Sequence, residues 1–487
     1  MVMAVDIGTS SVRVGLFDRR GRSVIGAEQR RGYEIRTSIE GASEIDADEL
    51  LENLWLCIDD VLEKSVNLSR RIAAVAACTF VGNIMGINSL GQASTPLMTY
   101  ADTRAEKEVA GLKKDFDEAV VHDRTGVHFH SSYLPARFRW LARERRDLFQ
   151  RVARWISIGE YMEMKLFGET AVSYSVASWS GLLDRHNLIW DPELLDMLAL
   201  DWSNLSPLVD ANAARAGLLS EFADRWPVLA GIPWFPALGD GATANVGSGC
   251  ITRESVALTM GTTTALRVVT TEPVDTIPEG LWCYRVDRRR SLPGGALSEG
   301  GNLFGWLNHI LRIEDMTYFE VSLEPKIPDC HGLTVLPFLS GERSPGWRGD
   351  ARGVIHGLSQ ATRPEDIMQA GLEAVAFRIG MVFQRLAGLL PGDVRVVAGG
   401  GALRKSALWL QIITDVLGRP VELTSIEETS ARGAALLAFE ALGLIDDLKT
   451  NPVLTERTFF PDFKRHAIYR SAMERQQKLY NTLLKSD

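Results

Sequence analysis

The 487-residue chain contains no Gly-Lys dipeptide, no G-x-S-x-G pentapeptide and no C-x-x-C pair. The first absence excludes a Walker A phosphate loop, the second the nucleophile elbow of serine hydrolases, and the third the usual spacing of zinc and thiol-redox sites. Five cysteines, Cys57, Cys78, Cys250, Cys283 and Cys330, are odd in number and far apart, which predicts buried, reduced thiols. His128 and His130 have no neighbouring cysteine or clustered carboxylate, so they do not read as a metal site. Charge of one sign is never concentrated: 62 acidic and 53 basic residues give a formal net charge of −9 with no long block of either, and hence no footprint for nucleic acid. Long apolar runs are missing as well. Asp6 falls where a signal peptide would need its apolar stretch, and residues 72–81 are too few to span a bilayer, so a cytoplasmic protein without a membrane partner is expected.

What is present is ordinary globular composition, 46% hydrophobic and 24% charged, in a chain too long for one core. Two domains are expected. The opening stretch "MAVDIGTSSVRVGLFD" alternates apolar residues around a tight polar turn and predicts a β-hairpin. A second hairpin is predicted at "VALTMGTTTALRVV", where Gly261, Thr262 and Thr263 stand 253 positions after Gly8, Thr9 and Ser10. Two hairpins of one pattern, each opening half of the chain, imply two related lobes that face each other.

Between the hairpins, Leu51, Leu54, Ile58, Val61 and Leu62 have helical spacing behind Asp46 or Asp48 as N-cap. "RRIAAVAACTF" reads as a buried strand and "PARFRWLARERRDLF" as a helix. In the second half a helix is expected from about 365 to 390, then a strand, glycine turn and helix over "VRVVAGGGALRKSALWLQIITDVLG", then a helix capped by Ser430. The stretch after Lys449 reads as less regular. The expected division is 1–246, 247–450 and a tail, 451–487, packed on the lobes, with the boundary near residues 240–255.

Each hairpin turn suits phosphate. Gly8 lets backbone approach a ligand while Thr9 and Ser10 supply N–H and hydroxyl donors, and Gly261, Thr262 and Thr263 repeat this from the other side. Asp6, at a strand end, cannot itself favour an anion, but it can hold Mg²⁺ or its waters. Gly399 to Gly401 between a strand and a helix would let backbone pass against a base or ribose. Asp240 between Gly239 and Gly241 can take the proton of an attacking alcohol, and it reads equally as a solvated Asp-Gly turn.

Taken together, "AVDIGTSSVR", "GDGATANVGSG", "LTMGTTTALR", "GERSPGWRGDARGVIHGL" and "AGGGALRKSALWLQIITDVLG" resemble the FGGY carbohydrate kinases, in family order and over residues 4 to about 440. The resemblance implies an α/β fold of two ribonuclease-H-like, actin-like ATPase lobes with a cleft between them, ATP and Mg²⁺ in the cleft, and phosphorylation of a sugar or polyol hydroxyl. It implies Asp240 as catalytic base, and Asp6 with Asp240 on the metal. Gly8, Thr9, Ser10 and Arg13 match the first phosphate hairpin and Gly261 and Thr262 the second, with Gly301 near the γ-phosphate and Gly400, Gly401 and Ala402 at the adenosine.

"YADTRA", "HSSYLPARFRWL", "GLWCYRVD" and "GGALSEGGN" are most similar to the gluconokinase branch, which implies gluconate as acceptor, with Gly82, Asn83, Tyr100, Arg104 and His130 at the substrate. Arg104, His130 or Arg137 would meet its carboxylate. Val81-Gly82 departs from the polar pair that many relatives carry there, and Tyr100 from the commoner tryptophan, so another carbohydrate stays open. The rival readings are a xylulokinase- or ribulokinase-like ketose kinase and an actin- or chaperone-like nucleotide-regulated binding protein. A homodimer is compatible with the sequence.

Overall fold

The computed structural model describes residues 1–313, 327–452 and 454–484; positions 485–487 of the expected tail lie outside them. Strands β1 (Val2–Ile7), β2 (Ser11–Phe17) and β3 (Ser23–Gly32), helix α1 (Ala47–Lys64), and strands β4 (Ala74–Thr79) and β5 (Leu238–Gly239) form the first half, in sheet order β5-β4-β1-β2-β3. The α1 cap is Asp46, whose side chain accepts from the backbone of Asp48 and Glu49. Between β4 and β5 lies a mostly helical region that includes α2 (Leu134–Glu144), which stops at Arg145 before a separate short helix. Helix α3 (Asp240–Gly247) follows β5 directly.

In the second half, β6 (Ser255–Met260), β7 (Thr264–Val268), β8 (Trp282–Arg285), β9 (Ser291–Leu297), β10 (Arg395–Gly399), β11 (Val421–Thr424) and β12 (Thr455–Phe459) make a seven-stranded sheet ordered β8-β9-β7-β6-β10-β11-β12. Helices α4 (Gly301–Leu311), α5 (Pro364–Leu386), α6 (Ala407–Leu417), α7 (Thr429–Ala441) and α8 (Phe463–Leu484) accompany it. The expected duplication is present in the pairing. In each sheet the hairpin is antiparallel (β1/β2, β6/β7), and the opening strand pairs in parallel with the strand that follows in the sheet (β1/β4, β6/β10).

Four local expectations change. The stretch after Lys449 is regular: β12 closes the sheet edge and α8 runs 22 residues against the second half. The long helix ends at Leu386 and passes into a 3₁₀ turn, Ala387–Leu389, ahead of Pro391. Ser430 is not a cap, since α7 starts one residue earlier, and its hydroxyl donates instead to the Asp240 carbonyl, 3.3 Å away. Four cysteines are buried as expected, but Cys330 is exposed.

Strand alternation decides what faces what. Met3, Val5 and Ile7 of β1 pack with α1, whereas Val2 and Ala4, with Ala74, Ala76 and Cys78 of β4, join a core between the two sheets. That core is rich in small side chains, including Ala242 of α3 and Ala431, Ala434, Ala435 and Ala438 of α7. Here α7 lies on β1 and β4 and crosses α3. A Cβ at Gly247 would sit 1.8 Å from the Thr429 carbonyl oxygen, and one at Gly433 1.8 Å from that of Thr243. Backbone touches backbone, and neither oxygen has a side chain's freedom to move aside.

Gly433→Ala should therefore destabilise the protein by about 3 kcal/mol or more. Gly305→Ala, in a helix with nothing within 4 Å of the new methyl, should stabilise by about 0.5–1 kcal/mol. Urea denaturation of both variants measures the contrast.

Candidate active site

Alternation along β1 continues from Val2 and Ala4 to Asp6, which therefore faces the gap between the sheets. The ladder sets Arg13 opposite it on β2 and Cys78 beside it on β4. Arg13 Nη1 lies 3.3 Å from Asp6 Oδ2 and 2.8 Å from Glu428 Oε2 at the start of α7, while Cys78 Sγ–H points to Asp6 Oδ1 at 3.4 Å. Asp6 is 3% exposed. Burial pushes its carboxyl up to about 6, Asp240 and Glu428 push the same way, and Arg13 and the Cys78 thiol oppose them.

Each hairpin turn is closed by its glycine at 3.0 Å, but over different spans: Gly8 N–H donates to the Ser11 carbonyl three residues on, and Gly261 N–H to that of Thr263 two residues on. Thr9 and Ser10 from one turn and Thr262 and Thr263 from the other line a single cleft of about 670 Å³, and Asp240 is in its wall. The Asp240 carboxylate heads α3, half-buried, and accepts the Gly241 N–H at Oδ1 over 2.7 Å. Burial raises its pKa from the usual carboxylate range, and Arg267 and the Gly241 N–H oppose that. Glycine at 241 has a steric reason: a Cβ there would come within 3.1 Å of the Arg267 guanidinium and 3.0 Å of the Trp179 ring.

Beside this cleft a second cavity of about 790 Å³ is lined by Gly261, Thr262, Gly301, Asn302, Phe304, Gly401, Ala402, Lys405, Ser406 and Trp409. Gly301 N–H docks on the Gly261 carbonyl at 2.8 Å, bringing the α4 N-terminus to the turn. Gly400 turns the chain at φ +101°, where a Cβ would strike the Met260 carbonyl oxygen at 2.3 Å. Thr262 is common to both spaces, so the two adjoin at the second hairpin turn.

The sequence-named substrate residues divide. Gly82 and Tyr100 line the cleft. The Asn83 side chain, 4% exposed, is spent on the Phe80 carbonyl at 2.5 Å and the Ile158 N–H at 2.9 Å. Arg104 is held by Asp102 at 2.5 Å and Glu44 at 2.6 Å, over the Trp140 ring. Arg137 donates to the Gly82 and Ser131 carbonyls at 2.8 and 3.4 Å. His130 Nδ1 accepts from Ser132 N–H at 3.1 Å, and burial with nearby Arg343 lowers its pKa to about 3, so it is uncharged near neutrality. Trp179, Arg267, Trp282, Tyr284 and Arg343, which sequence reading did not name, line the cleft instead. The signal for part of this set was strand alternation: Ala265 and Arg267 share one face of β7, and Trp282 and Tyr284 one face of β8.

The N-terminal-domain model of the FGGY family of carbohydrate kinases matches residues 1–247 and its C-terminal-domain model matches 256–442. The chain belongs to that family. FGGY kinases are ATP-dependent. The chain is 26% identical to a gluconokinase of Bacillus subtilis (strain 168) over 494 residues, 99% of this chain and 94% of that one. Its fold is that of a gluconate kinase from Lactobacillus acidophilus (TM-score 0.91, 24% identity, 100% of this chain and 98% of that one). A ligand-bound xylulose kinase from the same organism matches with the same TM-score, identity and coverage. No helix among the described residues is long and apolar enough to cross a membrane.

Because the folded pKa of Asp6 lies above its unfolded value, the native state holds the proton more tightly, and stability conferred by that proton is lost as pH rises through roughly 4 to 6. Asp6→Asn removes the loss. The melting temperature of the nucleotide-free variant relative to the parent should therefore increase between pH 4 and 7, by the equivalent of up to about 3 kcal/mol. A difference that stays flat across this window would place the Asp6 pKa in the ordinary range.

Proposed function

We propose that the chain transfers the γ-phosphoryl group of ATP to a hydroxyl of gluconate, giving 6-phosphogluconate, with Asp240 as general base. One observation carries this reading: a single half-buried carboxylate stands in the same cleft wall as two phosphate-suited turns from facing sheets. Asp240 accepts the proton as the hydroxyl oxygen bonds to phosphorus and the bond to the β-phosphate oxygen breaks, so ADP leaves. Its raised pKa makes it a stronger base than a solvated aspartate. Gly8, Thr9, Ser10, Gly261, Thr262 and Gly301 cradle the phosphates, Arg13 steadies the first turn through Asp6, and Gly400, Gly401 and Ala402 pass against the adenosine. Gly82 and Tyr100 sit at the sugar.

Asp6 and Asp240 are hard oxygen donors, and the charge of Asp240 raises the proton affinity of Asp6, so the two suit Mg²⁺. Bound there, Mg²⁺ would neutralise phosphate charge in the transition state. Gluconate is supported by the Bacillus subtilis gluconokinase, and a ketose is the second reading because the xylulose kinase matches the fold equally well. We place the enzyme in the cytoplasm, where ATP is available.

A coupled ADP-release assay over gluconate, xylulose, ribulose and glycerol should give the highest kcat/KM for gluconate. Asp240→Asn should bind ATP normally and lose turnover by about 10²- to 10⁴-fold, and the acid limb of the parent's kcat/KM profile should lie above the ordinary aspartate range. Near-normal transfer by the asparagine variant would remove Asp240 from the mechanism.

A further inference from the structure

The basic side chains expected to meet a substrate carboxylate are committed elsewhere, yet the cleft carries surplus positive charge. Its lining holds one carboxylate, Asp240, against two guanidinium groups, Arg267 and Arg343. Resting on the sugar-acid reading above, we propose that Arg267 and Arg343 form the subsite that takes the substrate's carboxylate and so select acids over neutral sugars.

Arg267 shares the cleft face of β7 with Ala265, and at about 3.3 Å per residue its Cα lies about 10 Å along the strand from Thr264, where the strand leaves the phosphate turn. The phosphate turn and this guanidinium are thus separate fixtures of one strand. Arg267 Nε and Nη1 are buried and have no hydrogen-bond partner. No hydrogen bond joins Arg267 to Asp240, whose Oδ1 is taken by the Gly241 N–H. Arg343 enters from the loop that follows the strand Thr334–Leu336, and its Nε is also buried without a partner.

Buried donors left unmade are costly, and a guanidinium meets a carboxylate with two parallel bonds. The surrounding wall has little else to offer a charge. Tyr133 and Tyr284 spend their hydroxyls on each other at 2.5 Å, and Trp179 stacks on Tyr284 at 3.7 Å between centroids. A neutral polyol would leave the excess charge uncompensated, whereas an aldonate cancels it.

The test compares gluconate with gluconamide, which has the same shape without the charge. In the parent enzyme, kcat/KM should favour gluconate strongly. Arg267→Gln and Arg343→Gln should each reduce that preference by about 10- to 100-fold, mostly through KM for gluconate, and Arg267→Lys should restore part of it. The rise in Tm on adding ADP verifies that each variant is folded. Equal losses on both acceptors, or an unchanged preference, would overturn the subsite while leaving the kinase reading intact. A parent enzyme that phosphorylates a ketose and no aldonate would overturn the sugar-acid reading, and the subsite with it.

Discussion

Everything in the cleft is referred to one contact, the crossing of α3 and α7 at Gly247 and Gly433. Helices normally meet through side chains, with axes 8–10 Å apart. Here the absence of two Cβ atoms lets main chain rest on main chain, and Arg432 fastens the crossing by donating to the Gly247 carbonyl and, at 3.0 Å, to that of Gly21. Asp240 is the first residue of α3, so its position is inherited from this joint. Ser430, at the start of α7, bonds the Asp240 carbonyl directly. A carboxylate mounted on the joint is positioned by both helices at once.

The second constraint is electrostatic. The region between the sheets is lined by alanine, valine and aromatic side chains, which cannot solvate a charge, yet Asp6, Arg13, Glu428, Asp240 and Arg267 all belong to it. Arg13 answers Asp6 and Glu428 together, and that pair joins residues 415 positions apart. Asp240 has a backbone N–H and a nearby but unbonded guanidinium. The cleft thus sets Asp240 on one side against two guanidinium groups with buried, unbonded nitrogens on the other.

Both hairpins, the strands beside them and the glycine turn at Gly400 were legible in the sequence, because each is a short-range pattern whose residues specify their own backbone; Asp240 read equally as a solvated turn. Partner choice was not legible. Arg104 reads as a free cation until Glu44, sixty residues earlier, is folded against it, and Asn83 reads as a pocket amide until Ile158 claims its oxygen. Helix α8 had the right spacing at Tyr469, Ala472, Met473, Gln476 and Tyr480. Alanine and a buried glutamine, whose amide bonds the Val335 and Ala374 carbonyls, mute the apolar stripe. Ser430 misled for a related reason, since a hydroxyl one residue inside a helix looks like a cap until the neighbouring helix is present.

Helix α7 belongs by chain order to the second half, but the face it covers is that of β1 and β4, in the first. A fragment that stops where the first family match ends, at residue 247, would therefore carry an uncovered apolar surface of Val2, Ala4, Ala74 and Ala76. Synthesis reaches the residues that cover it only some 180 positions later. Until α7 is made, that face of the amino-terminal half has nothing of its own to cover it.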